Sequence, residues 1–163
     1  MSFPELATRN RLIRFLQEYL NPISFCAIAT SAQTINRNTL TTVVFDEEMF
    51  TGVGYDTTTY TFTAPYDGRY QFYSNVMWYN LATTFDYATL AFKHNDTTLY
   101  AAQGGVWAVV QDDFTLHASI MLDMSKNDTV LVQAKYDDDT PVATEQIYGV
   151  SPQRYTQFFG HKI

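Results

Sequence analysis

The sequence predicts an all-β protein, an antiparallel sandwich or barrel, preceded by one short α-helix. Three observations point there. Aromatics make up 16% of the 163 residues, nearly all of them Tyr and Phe, and large flat side chains suit a pleated, half-buried surface. After Pro22, apolar and polar residues alternate with period two in one short segment after another, as strands with one face on a core do. Clusters of turn formers, "PYDG", "HNDT", "SKND" and "YDDDTP", separate these segments. Many short strands with no helices between them build a sandwich or a barrel. The length fits one domain with a sizeable core plus a short extra segment.

Taken in order, residues 1–22 read as a helical anchor or stalk and residues 23–163 as the β-domain. In "PELATRNRLIRFLQEYL" (4–20), Pro4 suits the first helical turn and Glu5 the positive helix end. Leu6, Ile13 and Leu20 recur every seven residues, with Leu16 at the companion position and Leu12, Phe15 and Tyr19 widening the stripe. Such a stripe must be buried, either on its own domain or as an attachment to other chains. Arg9 at the other core position argues against a coiled coil. Asn21-Pro22 ends the helix, since proline disfavours helix in the residue before it.

In the β-domain, "ISFCAIAT" sets Phe25, Ala27 and Ala29 against Ser24, Cys26 and Ile28, and "TLTTVVFD" (39–46) follows. "YTFTAP" sets Tyr60 and Phe62 against Thr61 and Thr63. "RYQFYSNVMW" sets Tyr70, Phe72, Ser74, Val76 and Trp78 against Gln71, Tyr73, Asn75 and Met77. Between these two, Pro65 fixes its own φ and offers no donor, and Gly68 permits a positive φ. The chain can therefore reverse tightly and bring both sets of aromatics to one core face. "ATLAFKH" (88–94), "TLYAAQ" (98–103), "FTLHASIMLDM" (114–124), "TVLVQAKY" (129–136) and "YTQFFGHKI" (155–163) complete the set.

Composition excludes several functions. With 10 Lys and Arg against 17 Asp and Glu the net charge is −7, a poor counterion for phosphate backbones, so no nucleic acid is expected as partner. Cys26 is the single cysteine; it cannot form an internal disulfide and reads as a small strand residue rather than a catalytic thiol. No run of about 18 apolar residues offers a membrane span. The N-terminus lacks the apolar run and cleavage site of a signal peptide, which with Met1 favours a non-exported protein.

No catalytic constellation emerges. His94, His117 and His161 lack the paired spacing of zinc sites. There is no Gly-x-Ser-x-Gly elbow and no P-loop, and "GVGYDT" (52–57) lacks the third glycine and following helix of a dinucleotide fingerprint. Paired acids hydrolyse glycosides only when held ~5–10 Å apart across a cleft. Glu47-Glu48, Asp112-Asp113 and Asp137-Asp138-Asp139 are neighbours in sequence, which is usually a solvated run. Asn95-Asp-Thr97 and Asn127-Asp-Thr129 fit the glycosylation pattern but, without an export signal, read as bare turns. Trp78, Tyr79, Tyr87, Phe92, Tyr100, Trp107 and Phe114 exceed the needs of one core, so several are expected where subunits meet.

Over residues 23–163 these pieces, in order, resemble the globular head of complement C1q, a branch of the tumour-necrosis-factor-like jelly rolls. "SFCAIAT" resembles the family's first strand, and "VVFD", with Phe45, its second landmark. The densest match is "GYDTTTYTFTAPYDGRYQFYSNV" (54–76), which follows Tyr-Asp, a spacer, Phe-Thr-x-Pro and x-x-Gly-x-Tyr-x-Phe on Tyr55, Phe62, Pro65, Gly68, Tyr70 and Phe72. "ATLAFKHND" is similar to a strand ending in an asparagine turn, and "HASIMLDMSKNDTVLVQ" to a hairpin that usually carries Gly-Asp. "FFGHKI", with Phe158 and Gly160, resembles the closing strand. Departures are Thr58-Thr59 for Thr-Gly, Asn127 for a glycine, and Phe159 and His161 in the last motif. No Gly-X-Y repeat supplies a collagen stalk; the helix stands in its place.

The resemblance implies an antiparallel jelly-roll β-sandwich of about ten strands, a tight homotrimer, no catalysis and no cofactor. It implies a structural or binding head whose target is set by its outward loops. Some relatives bind calcium near the trimer apex. By that likeness Asp137, Asp138 and Asp139 from three copies would meet near the axis and be relieved by a hard cation. The expected role is a virion surface protein, namely a fibre, spike or capsid-decorating subunit. Its helix (Leu6, Ile13, Leu16, Leu20) would hold a capsid or fibre partner, and its loops would meet a host-surface glycan or protein. The alternative is a cellular or secreted, extracellular recognition module that binds glycans or proteins. A third reading, a hydrolase on a sandwich scaffold, lacks convergent acids.

Overall fold

The computed structural model of the protein describes residues 23–50, 52–79, 85–105, 113–138, 144–151 and 155–163. The helical segment expected at 4–20, with Leu6, Ile13, Leu16 and Leu20, lies outside the described residues, as does Trp107. Thirteen strands are described: β1 Ser24–Ile28, β2 Gln33–Asn36, β3 Thr41–Thr42, β4 Glu47–Phe50, β5 Tyr55–Asp56, β6 Thr61–Thr63, β7 Gly68–Tyr79, β8 Phe85–His94, β9 Thr97–Gly105, β10 Asp113–Met124, β11 Thr129–Asp138, β12 Thr144–Ile147 and β13 Gln157–Lys162. Several are only two to four residues long, which is why the count exceeds the ten expected.

The strands form two antiparallel sheets, a jelly roll. In the first, the twelve-residue β7 pairs with β10 along its whole length on one edge. On its other edge it meets β13 over Tyr70–Asn75 and β12 at Trp78–Tyr79. The sheet continues through β13 to β1 and β4, and through β12 to β2. The second sheet runs β5-β6-β11-β8-β9, with β3 also on β11.

Period two decides what lies between the sheets. From β7, Tyr70, Phe72, Val76 and Trp78 point inward and are fully buried. Val130, Val132, Ala134 and Tyr136 of β11 and Ala88, Leu90 and Phe92 of β8 face them. Phe158 of β13 is the hub of the ring cluster, with centroids 4.9 Å from Phe25, 5.7 Å from Phe45, 5.9 Å from Phe72 and 6.2 Å from Phe92. Trp78 packs edge-on to Tyr136 at 6.0 Å.

Four local expectations are refined. The "YTF" and "YQF" strands do share a core, but from opposite sheets: β6 belongs to the second and β7 to the first. Residues 64–67 therefore cross the sandwich, and Phe62 reaches Tyr70 and Phe72 across it at 5.5 and 5.4 Å. "HASIMLDMSKNDTVLVQ" is likewise a crossing, since β10 pairs with β7 and β11 with β8. The strand expected over 39–46 pairs in the ladder only at Thr41–Thr42. Beyond it, the Val44 N–H donates to the Gln33 side chain, Oε1, at 2.9 Å. Cys26 and Ile28, on the outer face of β1, are buried as well. In register beside Cys26 stand Phe159 on β13 and Phe50 on β4, two large side chains that shield it.

Candidate functional site

The residues of the family-like motif build the core. Phe45, Phe62, Tyr70, Phe72 and Phe158 are buried to 1% exposure or less. Tyr55 packs its ring 4.8 Å from Phe25 and donates its hydroxyl to the Phe45 carbonyl at 3.0 Å. Burial, with the Glu48 carboxylate adding, pushes that hydroxyl well above the usual tyrosine range. Pro65 lies in the crossing after β6, half-buried. Gly68 begins β7 at φ +157°, a positive value that L side chains rarely adopt, under the Lys162 side chain.

The acidic run is placed in part. Asp137 Oδ1 accepts from Asn38 Nδ2 at 2.9 Å and Arg37 Nε at 3.4 Å, and its Oδ2 from the Tyr87 hydroxyl at 3.2 Å. Asp137 is thereby tied to Arg37, Asn38 and Tyr87 in one hydrogen-bonded cluster. Asp139 and the side chain of Asp138 lie outside the described residues. Among the described residues no group of three His, Cys, Asp or Glu side chains converges as metal ligands would.

The two outer faces of the sandwich differ in chemistry. On the second sheet, Thr89, Gln133, Lys135 and Asp137 point outward beside Tyr87. A shallow groove of about 460 Å³ there is lined by Tyr87, Thr89, Tyr100, Ala101, Ala102 and Lys135. The first sheet is richer in rings. Across β10, β7, β13, β1 and β4, Ser119, Tyr73, Phe159, Cys26 and Phe50 stand in one row. Tyr73 bonds His117 Nδ1 through its hydroxyl at 2.9 Å, and Phe159 packs against His161 at 5.4 Å. Met121 is 53% and Phe50 44% exposed. The His161 Nδ1 atom is shielded from solvent, with no hydrogen-bond partner among the described residues. An apolar, ring-bearing face with an unsatisfied polar atom is suited to being covered.

Of the aromatics expected at a subunit contact, Trp78 and Phe92 are core, and Phe114 packs on its edge. Tyr79 points outward on the first sheet; Tyr87 and Tyr100 line the groove on the second. The rest of the first sheet's ring-bearing face is built by Tyr73, Phe159, Phe50 and Met121. The signal for Tyr73 was present in the sequence: it occupies the non-core phase of β7, as Met77 does.

Comparison with known proteins completes the assignment. No curated protein sequence matches the chain. The globular domain of a zebrafish complement 1qA protein superposes with a TM-score of 0.61 at 13% identity, over 88% of this chain and 98% of that one. Eiger TNF from S. frugiperda gives 0.62 at 10%, over 88% and 94%. Murine APRIL gives 0.60 at 12%, over 88% and 100%. At such identities the likeness is one of fold. The family model of the C1q domain matches residues 24–163. Domains of this kind are typically trimeric binding modules, generally non-enzymatic, and typically extracellular or secreted. With its motif residues gathered in one core and the family model spanning both sheets, this chain belongs to the C1q-domain family.

Proposed function

We propose that the protein is a non-enzymatic, homotrimeric head on a virion surface, a fibre, spike or capsid-decorating subunit. Residues 1–22 attach it to a capsid or fibre partner, and its loops meet a host-surface glycan or protein. The observation that carries the assembly is the outer face of the first sheet, where Tyr73, Phe159, Phe50 and Met121 lie beside the unsatisfied His161 Nδ1. A second copy of the chain is the occupant that fits, since the family is typically trimeric and cyclic assemblies bury ring-rich patches of this sort. Placement on a virion is supported by the amphipathic stripe of residues 4–20, which suits attachment to another chain.

Light scattering at micromolar concentration is expected to give three times the 18.7 kDa chain mass. Tyr73→Glu, on the outer face, is expected to give folded monomers. A wild-type protein that stays monomeric overturns the reading. The extracellular recognition module is the second reading, favoured by the usual location of the family. Copurification of the chain with virions separates the two.

A further inference from the structure

The end of the first sheet beyond the row that carries the assembly holds a distinct feature. The described domain begins and ends near Arg69: the Ile163 N–H donates to the Arg69 carbonyl, and the Lys162 N–H to the Ile23 carbonyl, both at 2.9 Å. Strand β7 then runs to Tyr79, about 33 Å away at ~3.3 Å per residue. At that distal end Tyr79, Tyr148 and Tyr155 form three walls of a box. Tyr148 stands edge-to-face to Tyr79 at 4.9 Å and 69°, and to Tyr155 at 5.4 Å and 61°. Among the described residues, Met77 and Asp113 join them in lining a cavity of about 340 Å³.

Each wall is fixed by the chain behind it. The Tyr148 N–H donates to the Met77 carbonyl at 2.7 Å. Asn75 Nδ2 donates to the Tyr155 carbonyl at 2.6 Å. The Tyr79 hydroxyl donates to Gln146 Oε1 at 2.6 Å, and Asp113 sits opposite Tyr79 in the β10–β7 ladder. The box is therefore preorganised rather than assembled by its ligand.

Its chemistry selects a cation. Ring faces are electronegative and attract positive charge. The one charged side chain among the described lining residues is a carboxylate, Asp113. The kind of cation follows from hydrogen bonding. A lysine brings three N–H donors and an arginine five. Against ring faces, a thioether, one carboxylate and the phenol oxygens at the rims of the rings, several of those donors would find no acceptor, and desolvating them is unfavourable. A quaternary ammonium has no N–H to satisfy. We propose that this tyrosine box binds a quaternary ammonium group of the choline type. The inference rests on the reading of the chain as a binding head, and the box lies at the end of the domain away from the attachment segment.

Calorimetric titration of the full chain with choline tests it, alongside 3,3-dimethylbutan-1-ol, which has the same shape with carbon in place of the charged nitrogen. Choline is expected to bind about tenfold tighter than the neutral analogue. Tyr155→Ala and Asp113→Asn, both at exposed positions, are expected to weaken choline by about 3- to 30-fold with unchanged melting temperature. Tyr155→Phe, which keeps the ring, is expected to retain binding. Equal affinity for the neutral analogue, absence of choline binding, or an unchanged affinity in Tyr155→Ala overturns the proposal. Light scattering on the same samples keeps the two readings apart. A monomer that binds choline sinks the trimer and keeps the box; a trimer indifferent to choline sinks the box alone.

Discussion

Gly160 shows how one residue can decide whether the core closes. A methyl group there would stand 2.5 Å from the Phe25 ring and 2.7 Å from the Phe72 ring, inside the cluster that Phe158 anchors. Both rings also pack against Phe62, at 5.1 and 5.4 Å, so neither moves without disturbing the cluster. Gly160→Ala is expected to lower the unfolding free energy by about 1–3 kcal/mol, the usual scale of overpacking. Urea denaturation should show an earlier midpoint with an unchanged m-value. Tyr60 carries the opposite lesson. It adopts φ 58° without being a glycine, a conformation that costs roughly 1–2 kcal/mol in an L-residue. The turn before it is held by Asp56, whose carboxylate accepts from the Thr58 N–H at 2.7 Å and the Thr59 hydroxyl at 3.0 Å. The alternating pattern had placed Tyr60 on the core face with Phe62. It could not register that the chain was still turning, because the capping bonds involve threonines that also suit a strand.

At the scale of elements, three connections that look independent in sequence form one unit. The crossing at 64–67, the β8–β9 turn and the crossing at 125–128 meet at the end of the domain near Arg69. Ala64 N donates to the Asp128 carbonyl and Asn127 N to the Ala64 carbonyl, each at 2.8 Å. Lys126 N donates to Asp67 Oδ1 at 2.7 Å. Asn95 donates its amide to Asp128 Oδ1 at 3.0 Å and accepts the Thr129 N–H at 2.9 Å. The Ser125 N–H first, then Asn95, hold the Asp128 carboxyl below its ordinary 3.8. A depressed carboxyl stabilises the fold above its unfolded pKa, and that contribution is lost as pH falls through the folded value. Asp128→Asn is therefore expected to flatten the stability–pH curve between about pH 5 and pH 2, read by thermal melts across that range. Sequence alone marked "PYDG", "HNDT" and "SKND" as turns, since Gly, Asn and Asp carry local preferences. It could not show that two of them cross between sheets, because the pairings of β7 with β10 and of β6 with β11 join residues 34 to 68 positions apart. The same limit hid the tyrosine box. Tyr79 was noticed, but Tyr148 and Tyr155 join it only because β12 and β13 both end on β7.

For the whole molecule, period two was enough to reach an all-β sandwich, and the ordered motif around Tyr55, Phe62, Tyr70 and Phe72 to reach the family. The faces of the sandwich were harder to rank. Both present aromatics, and only the register separates the ring-bearing row on β7 and β13 from the polar groove beside Lys135. The proposed attachment role of residues 1–22 makes a prediction at this scale. Under that proposal, removing 1–22 is expected to leave a folded trimer by light scattering that no longer copurifies with virions; collapse to monomers would instead assign the segment to assembly. Another outcome follows from Ile23 and Ile163 emerging together beside Arg69. Adjacent strands lie about 5 Å apart, so both seams of the domain fit into a gap no wider than a surface turn. The domain should tolerate transplantation as a cassette into a loop of an unrelated carrier, with its opposite pole left unobstructed.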